Sequence, residues 1–63
     1  MIVIKIKTRN DAFKPDAGPE VARILRDELV PFVEATDLVR GDYLQLHDVN
    51  GNIVGSMEVR AAE

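Results

Sequence analysis

The pattern of apolar and polar positions begins with a strict alternation. In the first seven residues, isoleucines stand at positions 2, 4 and 6, and Val3, Lys5 and Lys7 alternate with them. A period of two is typical of a strand with one buried face, so we expect Ile2, Ile4 and Ile6 to pack against the core. The other face, which carries Lys5 and Lys7, is expected to contact solvent or a partner.

An irregular polar segment, Arg9 to Gly18, follows this strand and is rich in residues that form turns and helix caps. Phe13 is its only large apolar residue. We expect the ring of Phe13 to cover one end of the core, because burial of an aromatic ring removes a large apolar surface from water. The alternative is an exposed ring that anchors a partner.

The period then changes to three and four residues, which predicts an amphipathic helix. Pro19 is expected to be the first helical residue, with Gly18 or Asp16 as the cap. Pro31 has no N–H and crowds the preceding turn, so we expect a kink there and a continuation to about Ala35. The apolar stripe consists of Val21, Ile24, Leu25, Leu29, Phe32 and Val33.

Two further strands are predicted at Tyr43 to His47 and at Ile53 to Val59, on either side of a polar turn. The turn sequence allows two registers. In the first, Asn50 and Gly51 form a two-residue loop, which pairs Asp48 with Ile53.

In the second register, a type I turn starts at Asp48 and ends with a left-handed glycine. This turn pairs Leu46 with Val54, and a bulge at Gly55 then returns Met57 to the core. Asp-x-Asn-Gly fits the positional preferences of the second turn at three places, which favours it.

The order strand, helix, strand, strand predicts a single α+β domain over residues 1–63, because a chain of this length forms one core. We expect two layers, with one helix on one face of a three-stranded antiparallel sheet whose central strand is the last. The opposite face is left open. We expect that face to bind a partner, and open faces of this kind self-associate, so a homodimer is also expected. The partner-binding residues predicted are Val3, Lys5, Lys7, Arg9, Tyr43, Gln45 and His47.

The amino-acid composition excludes several classes of function. The chain has no Cys, which excludes disulfides, thiolate metal sites and a thiol nucleophile. Its longest unbroken apolar run is four residues, from Met1 to Ile4, which predicts neither a membrane span nor a signal peptide. The net charge is −3: residues 1–14 carry +3 and residues 15–63 carry −6. This acidic excess disfavours nucleic acid as the partner.

The sequence offers little chemistry for catalysis. There is one histidine, His47, so a histidine metal site or a catalytic triad is not expected. Asp48, Asn50 and Asn52 resemble the start of a calcium loop, but Val59 stands where the bidentate glutamate is required. Turn formation therefore explains these residues better. We expect no enzyme activity, no metal and no cofactor.

The helix carries the remaining charged candidates. No carboxylate lies among the apolar neighbours that a general acid or base needs, and Glu28, beside the apolar stripe, is the nearest candidate. Arg23 and Asp27 are four residues apart and are expected to form an exposed ion pair. Such a pair stabilises a helix by roughly a few tenths of a kcal/mol.

Three segments together resemble a group of short, uncharacterised proteins encoded by bacteriophages and prophages. These segments are Thr8 to Phe13, Glu20 to Arg26, and Leu46 to Gly55 with its pattern Asp-x-Asn-Gly-Asn-x-Val-Gly. The resemblance extends from the first strand to Val59, and Pro31 departs from the uninterrupted helix of that group. It implies an accessory phage product in the host bacterial cytoplasm. It implies no catalytic or binding residue.

Taken together, these features predict a small non-enzymatic protein that binds a host or phage protein, in the manner of a host-takeover or anti-defence inhibitor. The alternative is a nucleic-acid-binding accessory protein that uses Lys5, Lys7, Arg9 and Tyr43. A third reading is a dimer that holds a small anionic ligand at its interface.

Overall fold

The computed structural model of the protein describes residues 1–61. It shows the expected α+β fold, with a helical layer on one face of a three-stranded antiparallel sheet. In chain order the elements are strand β1 (Ile2–Ile6), a 3-10 turn (Asp11–Phe13), helix α1 (Ala17–Ile24), a π-helical turn (Leu25–Leu29), helix α2 (Val30–Ala35), strand β2 (Tyr43–His47) and strand β3 (Ile53–Val59).

The sheet has the predicted order β1-β3-β2, and both pairings are antiparallel. The hairpin places β2 beside β3, and the helical layer carries the chain from β1 to β2. With β3 in the centre, β1 can pair with it without a parallel crossover. The two outer strands therefore come from distant parts of the sequence, and each has one edge that no strand of the described chain covers.

The helix begins two residues earlier than expected. Asp16 is the N-cap residue and Ala17 is the first helical residue, so Pro19 is the third and not the first. Pro31 does not end the helix. The π-helical turn lies just before it, and the Val30 N–H donates to the Leu25 carbonyl five residues back.

This wider turn makes room for the proline ring, so the helix continues to Ala35 as predicted.

The hairpin adopts the bulged turn. The Gly51 N–H donates to the Asp48 carbonyl, the Asp48 N–H donates to the Asn52 carbonyl, and Gly51 is left-handed with φ +86°. His47 consequently lies opposite Ile53. A second irregularity follows between Leu46 and His47 and shifts the later pairs by one residue.

Because of that shift, Leu46 pairs with Gly55 and not with Val54. Val54 and Met57 are both buried, as the bulge at this place predicts. Gly55 lies against β1, where a Cβ atom would overlap the carbonyl oxygen of Lys5. Only glycine fits this position, since the overlapping atom belongs to the backbone.

The core lies between the helix and the β2–β3 side of the sheet. Its most buried residues are Phe13, Ile24, Leu29, Leu46, Val54 and Met57. Phe13 is only 2% exposed, which confirms that its ring covers one end of the core.

The prediction for the isoleucines of β1 is wrong in part: Ile2 is 50% exposed and Ile4 is 45% exposed. Both share a face with buried Met57, but side chains of the helix reach the outer edge of β2 and leave β1 largely uncovered.

Candidate functional site

The open face of the sheet has two rows of side chains that cross all three strands. Register defines these rows, since residues paired across antiparallel strands project from the same face. The first row holds Val3, Glu58 and Tyr43, and the second holds Lys5, Ser56 and Gln45. Tyr43 is 54% exposed, and Lys5 and Gln45 are exposed as well. We call these six residues the open face.

The structure brings together most, but not all, of the predicted partner-binding residues. Lys7 is exposed at the end of β1, and its N–H donates to the Val54 carbonyl, which keeps it in line with the strand. Arg9 is exposed but lies beyond the strand. The His47 ring Nδ1 is 3.2 Å from Glu28 Oε1 on the helix, so His47 lies at the outer edge of β2.

Sequence reasoning missed an acidic residue in the middle of this face. Glu58 lies between Val3 and Tyr43 on the central strand, and its carboxylate accepts a hydrogen bond from Arg60 and lies 2.6 Å from the Arg60 Nη2. The alternation of β3 alone does not say which face Glu58 lies on. That assignment also needs the register in which β3 pairs with β1 and β2. The open face is therefore basic along β1, acidic at its centre and aromatic at β2.

A second polar cluster lies between the helix and the hairpin. Buried Glu20 accepts two hydrogen bonds from Arg23, at 3.0 and 3.2 Å, and one from the Val49 N–H at 2.7 Å. Arg23 also donates to the His47 carbonyl at 2.7 Å. The expected Arg23–Asp27 pair is absent from the ion pairs of the described residues, where Asp27 pairs with Arg26. Arg23 points instead toward the hairpin, where its partners are less solvated.

Glu28 completes this cluster at the edge of β2. Its Oε1 accepts from the His47 N–H at 2.9 Å, and a protonated Nδ1 of the same residue donates to it at 3.2 Å. Its Oε2 lies 3.5 Å from Arg23. The hydrogen bond from Arg23 to Glu20 is the main reason that the pKa of Arg23 lies above its ordinary value, with Glu28 adding to it and burial opposing it.

Asp48 organises the hairpin turn. One carboxylate oxygen accepts from the N–H groups of Asn50 and Asn52, both at 2.9 Å, and the other accepts from the side-chain amides of Asn52 and Asn10. Burial opposes ionisation of Asp48, but these hydrogen bonds outweigh it and hold the pKa of its carboxyl below the ordinary value. The bond from Asn10 ties the turn to the segment before Phe13.

These contacts describe structural support more than reactivity. Both oxygens of Glu20, Glu28 and Asp48 lie within reach of an N–H group or a guanidinium, so these carboxylates hold the helix, the hairpin and the segment at Asn10 together. In the described part of the chain there is no cavity and no group of three metal-ligating side chains. No helix between residues 1 and 61 has the length and hydrophobicity needed to cross a lipid bilayer.

Comparison with protein-family models, with curated proteins and with solved structures finds no match to this chain.

Proposed function

We propose that this chain is a small non-enzymatic binding protein whose open face holds a macromolecular partner, and that the partner is a protein. The observation that carries the proposal is the open face itself: a three-strand surface that no element of the described chain covers. Its central Glu58 lies between the basic strand and the exposed Tyr43. Such a mixture of both charges with one aromatic ring suits a protein surface.

The lack of a built reaction centre among residues 1–61 supports a binding role over an enzymatic one. The carboxylates nearest to the core are occupied by hydrogen bonds that hold the helix to the hairpin. The resemblance to phage and prophage proteins adds a context: the partner is a host or phage protein in the bacterial cytoplasm, and binding inhibits it. A homodimer belongs to the same proposal.

The experiment is capture of partners from bacterial lysate with the tagged full chain. The test variant is Lys5→Glu with Lys7→Glu, which reverses two charges along the open face. The matched control is Lys14→Glu with Arg40→Glu, which makes the same charge change at exposed positions outside the three strands.

We expect a protein that the wild type and the control retain and the test variant loses. Equal capture by all three chains, or by none of them, would refute the assignment of the open face.

Nucleic acid remains the second candidate, because Lys5, Lys7 and Arg9 are all exposed near one side of the sheet. The acidic excess of the chain, a net charge of −3, opposes it by repelling phosphate. Retention of the wild type on single-stranded DNA or RNA at low salt, lost at high salt, would select this candidate. A thermal-shift screen with nucleotides tests the small-ligand reading, since a ligand that binds the folded state raises Tm.

A further inference from the structure

Strand β1 exposes a regular row of backbone hydrogen-bonding groups. The Arg60 N–H donates to the Met1 carbonyl at one end of the strand, and the Lys7 N–H donates to the Val54 carbonyl at the other. In an antiparallel ladder, groups directed to one neighbour alternate with groups directed away. The N–H and C=O groups of Ile2, Ile4 and Ile6 therefore point away from β3, along an edge that no other strand of residues 1–61 pairs with.

The side chains on this edge add apolar surface to it. Ile2 and Ile4 are about half exposed on the helix side of the sheet. β1 also contains no proline, glycine or bulge, which are among the devices that disrupt pairing at natural sheet edges. Its one charged residue, Lys5, lies on the open face, opposite the isoleucines. Four of its five residues are β-branched, which favours pairing with another strand.

The opposite edge of the sheet is different. At His47 of β2, the outward N–H donates to Glu28 and the outward carbonyl accepts from Arg23. An incoming strand meets these helix side chains after Tyr43 and Gln45, so β2 offers two of its three outward-facing residues. β1 offers all three of its own.

We propose that β1 pairs with β1 of a second copy, antiparallel, with Ile4 facing Ile4 on the two-fold axis. This register places Ile2 opposite Ile6 and joins the outward groups in three pairs, roughly six hydrogen bonds in all. The isoleucines of both copies then form one continuous row between the two helices, which removes the exposed parts of Ile2 and Ile4 from water.

Charge selects this register over its neighbours. With Ile4 on the axis, Lys5 of one copy lies opposite Val3 of the other, and the partner's Glu58 is one strand further on, since Val3 pairs with Glu58. A shift of two residues in one direction puts Lys5 opposite Lys5, which is unfavourable. A shift in the other direction sets Val3 against Val3 and leaves Ile6 without a strand partner.

The self-complementary arrangement of apolar and basic positions therefore fits a second copy of this chain. The product is a single six-stranded sheet in which two open faces become one surface. The inference rests on the proposed function for the homodimer, whose contact it names, but this dimer forms whether or not the open face binds a partner protein.

The test combines sedimentation velocity with amide hydrogen exchange by NMR, on the full chain over a range of concentrations. We expect the wild type to reach twice the chain mass of 7.0 kDa as concentration rises. We also expect the amides of Ile4 and Ile6 to gain protection over the same range, while the amides of Val3 and Lys5, which face β3, are protected throughout.

The variant Ile4→Pro removes one outward N–H and no hydrogen bond to β3. Losing the bonds at the axis should raise the dimer dissociation constant about tenfold or more. The matched control Ile4→Val keeps the N–H and the β-branched shape and should dimerise like the wild type.

Three results would overturn the inference: a wild type that stays monomeric at the highest concentration, a dimer in which the amides of Ile4 and Ile6 exchange freely, or a folded Ile4→Pro chain that dimerises as tightly as the wild type. Because the exchange measurement uses the wild type, it decides the matter even where the proline variant fails to fold. Loss of the dimer with retained capture of a partner protein separates this inference from the proposed function.

Discussion

The helix covers the backbone groups at one edge of the sheet and leaves those at the other edge uncovered. At the edge of β2, Glu28 and Arg23 of the helix occupy the outward N–H and C=O of His47. At the edge of β1, no helix residue performs that task, and Ile2 and Ile4 stay about half exposed. One helix is too narrow to cover three strands, so its position over β2 and β3 decides which edge stays available.

Charged side chains of the helix therefore determine where the helix packs on the sheet. Glu20, Arg23 and Glu28 hold the helix to the hairpin through hydrogen bonds to three backbone groups, those of His47 and Val49. Charge-assisted bonds of this kind are stronger than neutral ones, and they need a fixed geometry. The helix is thereby drawn toward β2 and away from β1.

The largest loss of stability is expected from a substitution at Gly55, because β1 packs directly against this residue. Gly55→Ala places a Cβ atom into the Lys5 carbonyl and forces β1 and β3 apart, which should lower the free energy of unfolding by about 3 kcal/mol or more. Urea unfolding measures it. Gly18→Ala is the control: Gly18 is helical with no atom within 4 Å of the added carbon, so no loss is expected. A Gly55→Ala chain as stable as the wild type would contradict the close approach of β1.

The next effect compares the cores beneath the two edges. Leu46→Ala removes a side chain with no exposed surface from β2 and should lower the free energy of unfolding by about 2–5 kcal/mol. Ile4→Ala in β1, where the side chain is 45% exposed, should reduce it by less than half as much in the monomer at low concentration. Equal losses at Leu46 and Ile4 would show that the helix covers both strands alike.

Opening the covered edge gives a smaller effect. Arg23→Met keeps much of the length of the side chain but removes its hydrogen bonds to Glu20 and to the His47 carbonyl. This loss should lower the free energy of unfolding by about 1–3 kcal/mol. Arg26→Met removes an exposed pair with Asp27 and should change stability by less than about 0.5 kcal/mol. Thermal unfolding of both variants checks the contrast, and the hypothesis fails if the two Tm values fall together.

The smallest effect concerns pH and the hairpin turn. The pKa of Asp48 is lowered in the folded state, so at acidic pH the unfolded chain takes up a proton before the folded chain does. Stability from this group is present above the ordinary carboxyl pKa, near pH 4, and is lost as pH falls through the lower, folded-state value. Asp48→Asn should flatten this acid-side loss in a series of denaturant melts. An unchanged acid limb in that variant would assign the loss to other carboxylates.

Local pattern predicted much of the fold. The strands β2 and β3 start and end where alternation indicates, the Asp-x-Asn-Gly sequence favours the turn that forms, and the strand order follows from antiparallel pairing. Phe13 is buried as its isolation in a polar segment suggests. Each of these features depends on residues close in sequence or on one rule of connectivity.

The candidate site was less predictable for a physical reason. Alternation correctly put Val3 and Lys5 on one face, but the position of Glu58 depends on pairing across strands. The alternation of β2 would put the side chain of His47 on the open face, but its ring contacts Glu28, which is nineteen positions away in the sequence. The helix holds Glu28 in place beside β2, and this contact decides where the His47 ring lies.

The sequence alone determined the periods, and with them the strands, the helix, the turn and the predicted two-layer fold, because each period records which side chains leave water together. Only the tertiary structure decided where the helix lies across the sheet. That position results from hydrogen bonds between helix side chains and the backbone of His47 and Val49, and a backbone group carries no sequence signal of its own. The half-exposed isoleucines of β1 follow from that decision.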